Sequence, residues 1–347
     1  MKTIALHKTF ENGTVNLYLH DDTGARCLDT PEDIHNFITT ISQDTSLRMS
    51  SAFALDVIVR EVSERGVNVL RAYWHDLGLE KGLSPEEIAK ALYMAPASVF
   101  RSFKYHVKLA ELRTEIAIRS AKEQAVGDTK RRILCIAKNE GLATPEQVKA
   151  EPRFNDAYTY LEALSGSVSK PKQLKNGKVQ FVDIDTVVNN LAKDIPECRL
   201  FNEIAGLKGG YITAATLMSI IQDIDRFPNV ASLWSYFGMS VVDGKAPKRK
   251  AGSPANWSSK GRTCLYNLGV SIVKNTNNPW RQYFEDAKDI YLAKHAEECK
   301  LGEKGEPCKF PKGHADAQAR RKMVKEILKR FYLKLKGEEY KAFEAAA

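Results

Sequence analysis

The chain has 347 residues and a formal net charge of +9, with 43% hydrophobic and 27% charged residues. That length predicts about two domains, and the composition excludes a wholly disordered, collagen-like or mucin-like chain. No apolar run reaches the ~20 residues of a membrane span.

The start MKTIALHKTFENG lacks the apolar core of a secretory signal. Six cysteines in a chain of this length are no disulfide scaffold, so reduced thiols in a cytoplasmic protein are expected. Charge is uneven. Residues 1–100 hold 9 Lys/Arg against 14 Asp/Glu, a net of −5, and residues 101–347 hold 43 against 29, a net of +14. An acidic half joined to a basic half points to a polyanion held by the second; the alternative is a generic basic surface.

The first hundred residues read as α/β. Runs 2–8 and 15–20 are strand-like, and Asn12-Gly13 between them is a hairpin signal. Residues 25–28 follow as a third strand. Thr30 then caps a helix with Pro31 at its first position, running to about residue 41. A strand at 47–49, a helix at 52–65 ended by Gly66 and a strand at 67–72 complete the order of a ribonuclease-H-like domain. Ser84-Pro85-Glu86-Glu87 opens a further helix. Another follows Pro96, with Tyr105, Leu109, Leu112 and Ile116 as a stripe that is either a packing seam or a partner-helix face. Gly127-Asp128 is expected to interrupt it. Residues 165–182 read as a loop with a hairpin signal at Asn176-Gly177, then a helix at 184–193, and from 200 to 340 the pattern is mostly helical.

Four segments carry chemistry. In 203–227 an apolar helix, a glycine-rich turn at 206–210 and a helix at 212–221 read as a helix-hairpin-helix. Lys208, Gly209, Gly210 and Thr213 stand where a turn offers amides to a phosphate; the alternative is a tight αα turn. Segment 244–262 holds Lys245, Lys248, Arg249, Lys250, Lys260 and Arg262 with no acid, and Trp257 as a stacking ring; a solvated lysine loop is the plainer reading. The C-terminal helix, 316–336, sets Met323, Ile327, Phe331 and Leu335 on one face. Arg320, Arg321, Lys322, Lys325, Lys329 and Arg330 take the rest, a pattern that fits nucleic acid or a membrane surface. His295, Cys299, Cys308 and His314 form a donor set for one zinc, or are two unrelated thiols near surface histidines.

Taken together, GLKGGYITAATLMSIIQDIDRFPNVASLWSYFGM, DGKAPKRK, NPWRQYFEDAK and HADAQARRKMVKEIL resemble the Tnp domain of the Piv-invertase-related insertion-sequence transposases, which include bridge-RNA recombinases. The front half, IALHKTFENGTVNLYLHDDTGARCLDTPEDI, resembles that family's RuvC-like domain. The resemblance implies a RuvC-like α/β domain at 1–95, a helical spacer at 96–165, a linker and short helix at 166–199, and a mostly α-helical Tnp/Nop-like domain at 200–347. It also implies four metal-binding carboxylates and a nucleophilic serine. Those positions fall on His7, Ser50, Ser84, Glu87 and Asp243, so at most Glu87 keeps a suitable group. Asp56 sits on a helix, and Ser253, Ser258 and Ser259 are the serines near the lost one. The Tnp segment also resembles the Nop domain of guide-RNA-binding proteins, including those of TIGR-Tas systems. The expectation is a guide-RNA- and DNA-binding protein without cleavage, a homodimer or higher homo-oligomer with no membrane partner, needing Mg²⁺ only if nuclease activity is kept. The alternatives are an active transposase using rearranged residues and a structural oligomeric partner.

Overall fold

Period-two alternation builds the first sheet. In β1 (Lys2–Glu11) and β2 (Thr14–Asp21), Ile4, Leu6, Leu17 and Leu19 point to one face. β3 (Gly24–Leu28), β4 (Thr45–Met49), β5 (Asn68–Arg71) and β6 (Arg101–Ser102) complete six strands in the order β3-β2-β1-β4-β5-β6. β1 and β3 run antiparallel to β2, β4 and β5 run parallel to β1, and β6 returns antiparallel. Parallel neighbours require crossovers, which α1 (Pro31–Thr40) and α2 (Asp56–Glu64) supply. As expected, Thr30 caps α1 by accepting the Asp33 N–H at 3.1 Å. Phe37, Ile38, Val59 and Val62 of these helices cover the face that carries Leu47 and Met49.

The other face carries Ala5 and Leu70 and is covered by Ile88 and Leu92 of α4 (Pro85–Met94), which follows the short α3 (Trp74–Leu77). Here Arg48 Nη1 donates to the carbonyls of Tyr93 at 2.7 Å and Ala95 at 2.9 Å, capping the negative end of α4.

The computed structural model describes residues 2–11, 14–50, 56–79, 82–102, 106–142, 144–157, 169–173, 179–241, 247, 257–296 and 312–338. They fall into two compact units, Met1–Ala110 and Glu111–Ala347. After Pro96 the chain makes a 3-10 turn and the strand β6 instead of the expected helix, which starts only at Val107. That helix, α5 (Val107–Asn139), runs unbroken through Gly127-Asp128, correcting the expected interruption. One helical glycine costs about 1 kcal/mol, and the Asp128–Arg131 ion pair one turn on supports the helix locally. Leu112 and Ile116 of the predicted stripe are buried; Tyr105 lies outside the described residues.

α6 (Pro145–Ala150) packs Val148 on Ala137, with Phe154 beside them. The expected loop at 165–182 contains two antiparallel strands, β7 (Ser169–Gln173) and β8 (Val179–Asp183). The turns at Asn12-Gly13 and Asn176-Gly177 lie outside the described residues. Among the described residues these α-helices follow: α7 (Ile184–Lys193), α8 (Pro196–Ile204), α9 (Ile212–Ile221), α10 (Val230–Tyr236), α11 (Ser259–Lys274), α12 (Trp280–Lys294) and α13 (Lys312–Leu335). α13 is the organising element. Met323, Ile327, Leu328 and Phe331 are fully buried, and Phe331 meets Phe201 of α8 edge-to-face at 5.3 Å. α12 lies antiparallel to it, with Lys288 paired to Asp316 at 2.9 Å and Arg330 over the Trp280 ring at 4.4 Å.

Candidate nucleic-acid interface

The turn between α8 and α9 is held from outside itself. Asn278 Nδ2 donates to the carbonyls of Ala205 at 3.1 Å and Gly206 at 3.0 Å, and Trp280 Nε1 donates to that of Ile204 at 2.6 Å. Gly206 has φ +64°, and a Cβ there would lie 2.8 Å from Pro279. Asn278-Pro279-Trp280 is therefore a latch on the hairpin, a role the sequence pattern did not reveal. Lys208, Gly209 and Gly210 are exposed at the turn. The Tyr211 amide is not free for a phosphate, because it donates to Asn189 Oδ1 of α7. Thr213 joins α9 to α11 through its carbonyl, which accepts the Cys264 thiol at 3.7 Å. Burial pushes that thiol up to about 12, and the Cys198 thiol likewise.

The cations of α11 and α13 converge. Ser258 caps α11 by accepting the Gly261 N–H at 3.1 Å, so it serves the backbone, and Ser259 is exposed at the first helical position. Arg262 Nη1 donates to the Pro247 carbonyl at 2.7 Å, and its guanidinium sits 4.7 Å from the Trp257 centroid. Lys325 Nζ lies 4.0 Å from the centroid of Trp234, whose Nε1 donates to the Lys325 carbonyl at 3.0 Å. Arg320 lies over Tyr266 at 5.2 Å and Lys322 over Tyr283 at 6.0 Å. Each such contact is worth roughly 0.5–2 kcal/mol, more as water is excluded.

Burial and then the neighbouring Arg262 charge hold Arg321 below its ordinary value. Burial and then Arg321 do the same to Lys325, and burial lowers Lys260. Among the described residues no carboxylate pairs with Arg262, Arg321 or Lys325, whereas Lys288 and Arg330 on the same helix pair have Asp316 and Glu326. Trp234 and Tyr266 were missed in the sequence. An exposed Tyr266 between apolar positions of α11 was the available signal.

The Trp257 indole packs on Gly238, where a Cβ would lie 3.0 Å from it, and carries the Arg262 guanidinium. Asp243, Lys245, Lys248, Arg249, Lys250, Ser253, Cys299 and Cys308 lie outside the described residues. His295 ends α12 and His314 lies in the first turn of α13, which places both at the same end of the antiparallel pair. No group of three or more potential metal ligands occurs among the described residues.

In the first unit, His7 within β1 and Ser50 just past the end of β4 meet. β1 and β4 are in parallel register, Leu6 opposite Met49, and one residue further His7 Nδ1 and Ser50 Oγ are 2.9 Å apart. His7 is 8% exposed and Ser50 3%. Asp56 opens α2 and does not end β4. Ser84 and Glu87 form a capping box, the Ser84 amide donating to Glu87 Oε2 at 2.7 Å and the Glu87 amide to Ser84 Oγ at 3.2 Å. Both are accounted for by helix capping. Burial lowers the His7 pKa, so below about pH 6.5 the unfolded chain takes up a proton that the folded one resists. Stability is then expected to fall as pH drops from about 7 to 5, and His7→Gln to flatten that slope in chemical denaturation. An identical slope in the variant would refute the assignment.

Two features stand out: an α/β unit in which His7 of β1 meets Ser50 just past β4, and a helical unit with a latched hairpin and a cationic cluster that has no carboxylate partner among the described residues. Residues 198–285 match the family model of the Transposase IS116/IS110/IS902 family. The matched stretch runs from α8 into α12, across the hairpin, its latch and α11. No curated protein matches the chain. Among the described residues no helix is long and apolar enough to cross a membrane.

Proposed function

We propose that the chain is a transposase-derived nucleic-acid-binding protein that holds a guide RNA and a DNA target, as a homodimer or higher oligomer, without cutting either. The observation that carries the reading is the cluster of Arg262, Arg321 and Lys325, half-buried, with the Arg262 charge acting on Arg321 and the Arg321 charge on Lys325, and without a carboxylate partner among the described residues. Such a cluster is relieved by a polyanion. A RuvC-like origin for the first unit is supported by the strand order and by the parallel β1, β4 and β5. Loss of cleavage is supported by His7 and Ser50 bonding each other where two metal-binding carboxylates are expected, and by the use of Glu87 in a helix cap. A paired-metal site needs several carboxylates on one pair of ions; a neutral imidazole and a hydroxyl do not provide them.

The test is purification of the full chain from its expression host without nuclease, followed by sequencing of bound nucleic acid and incubation with supercoiled plasmid and Mg²⁺. A discrete small RNA and intact plasmid are expected. Metal-dependent nicking that Glu87→Ala abolishes would establish the active-transposase alternative, and a preparation that is free of RNA and ignores added structured RNA would overturn the guide-RNA reading.

A further inference from the structure

Four aromatic rings near the cationic face are already occupied. Arg262 lies over Trp257, Lys325 over Trp234, Arg320 over Tyr266 and Lys322 over Tyr283. A base that stacked on one of these faces would displace the cation meant to meet its phosphate. The rings therefore act as supports that fix ammonium and guanidinium groups in place. Arg262 is fixed twice, by Trp257 and by its hydrogen bond to the Pro247 carbonyl. Lys325 sits on the ring of a tryptophan that is itself bonded to the Lys325 backbone. Arg321 and Lys325 are four residues apart on one helix, so both head groups leave the same side of α13. Arg262, in the first turn of α11 and one turn before the Tyr266 ring that carries Arg320 at 5.2 Å, arrives beside the same stretch of α13, where its charge disfavours that of Arg321.

We infer that Arg262, Arg321 and Lys325 form a seat for one backbone phosphate of a nucleic-acid strand, recognised by charge and shape and blind to the base. The inference rests on the nucleic-acid reading above and refines it: sequence information must be read away from this face. Guanidinium groups present planar pairs of donors that match two phosphate oxygens, and the lysine adds a point charge. Trp257 and Trp234 are positioning residues.

The experiment uses the full-length protein and two single strands with the same number of phosphates, one oligothymidylate and one abasic, across a series of KCl concentrations. The two strands are expected to bind within about twofold of each other, since a base stacked on an aromatic ring would contribute at least about fivefold. Arg321→Gln and Lys325→Gln are each expected to weaken both strands and to reduce the slope of log K against log salt by about 0.7. Trp257→Phe, which keeps a ring under Arg262, is expected to preserve the equality of the two strands. An abasic strand that binds tenfold or more weakly would overturn the inference while leaving nucleic-acid binding intact. Binding of neither strand would overturn the underlying reading as well. Inorganic phosphate alone displacing the strand at equimolar phosphate would reassign the seat to a free anion and overturn the inference. If either Gln variant melts early, the other carries the comparison.

Discussion

Arg321→Glu is expected to bind nucleic acid at least thirtyfold more weakly and yet to unfold at a higher temperature. The two effects share one cause. In the native protein Arg321 is half-buried, and burial and then the Arg262 charge disfavour its ionised form. A carboxylate in its place would attract Arg262 and Lys325, relieving a repulsion and adding ion pairs worth about 1 kcal/mol together. The same change removes one charge-assisted contact to phosphate, about 1.5–3 kcal/mol, and sets a negative charge against the strand. Strand affinity at fixed salt and the melting midpoint of the free protein check both halves. A variant that is both less stable and unaltered in binding would show that the cluster is not held for an anion.

Gly261→Ala is expected to destabilise the second unit by about 2–3 kcal/mol, although alanine normally favours a helix over glycine by about 1 kcal/mol. Gly261 is in the first turn of α11, and a Cβ there would lie 2.4 Å from two ring carbons of Phe237. Phe237 is fully buried, so the ring has little room to move. Gly127 in α5 supplies the control, because a Cβ there meets only the Arg131 guanidinium at 4.0 Å. Gly127→Ala should therefore stabilise by up to about 1 kcal/mol. Urea denaturation of the two variants beside the native protein decides it, and equal shifts of the same sign would refute the packing argument.

The contrast between these two glycines also marks what the sequence could convey. Alternation in 2–8 and 15–20, the Thr30-Pro31 cap and the Ser84–Glu87 box are local signals, and each appears in the structure where the pattern put it. Helices α7 and α9 were legible for the same reason: their apolar faces and flanking polar residues lie within the segments themselves. The failures are long-range. A two-residue strand such as β6 is formed by its neighbour β5 and has no period of its own. Gly127-Asp128 reads as a breaker only when the strong helix formers around it are ignored. At the candidate interface the cations were visible as composition, but their supports were not. Nothing in the sequence ties Lys325 to Trp234, 91 positions away, or Asn278 to the turn at Ala205 and Gly206. The meeting of His7 and Ser50 followed only once β1 and β4 were placed in parallel register.

The cations seated on aromatic rings have a thermodynamic consequence for association. Long basic side chains on a solvated surface lose rotamer freedom when a partner arrives, about 0.5–1.5 kcal/mol for each one immobilised. Arg262 and Lys325 lose it when α11 and α13 fold around Trp257 and Trp234. The ordering entropy is thereby charged to the stability of the helical unit, and calorimetric titration with a nucleic-acid strand should show a correspondingly small conformational entropy loss in the protein. Loosening α11 against α13 would then weaken association without removing any contact to the strand.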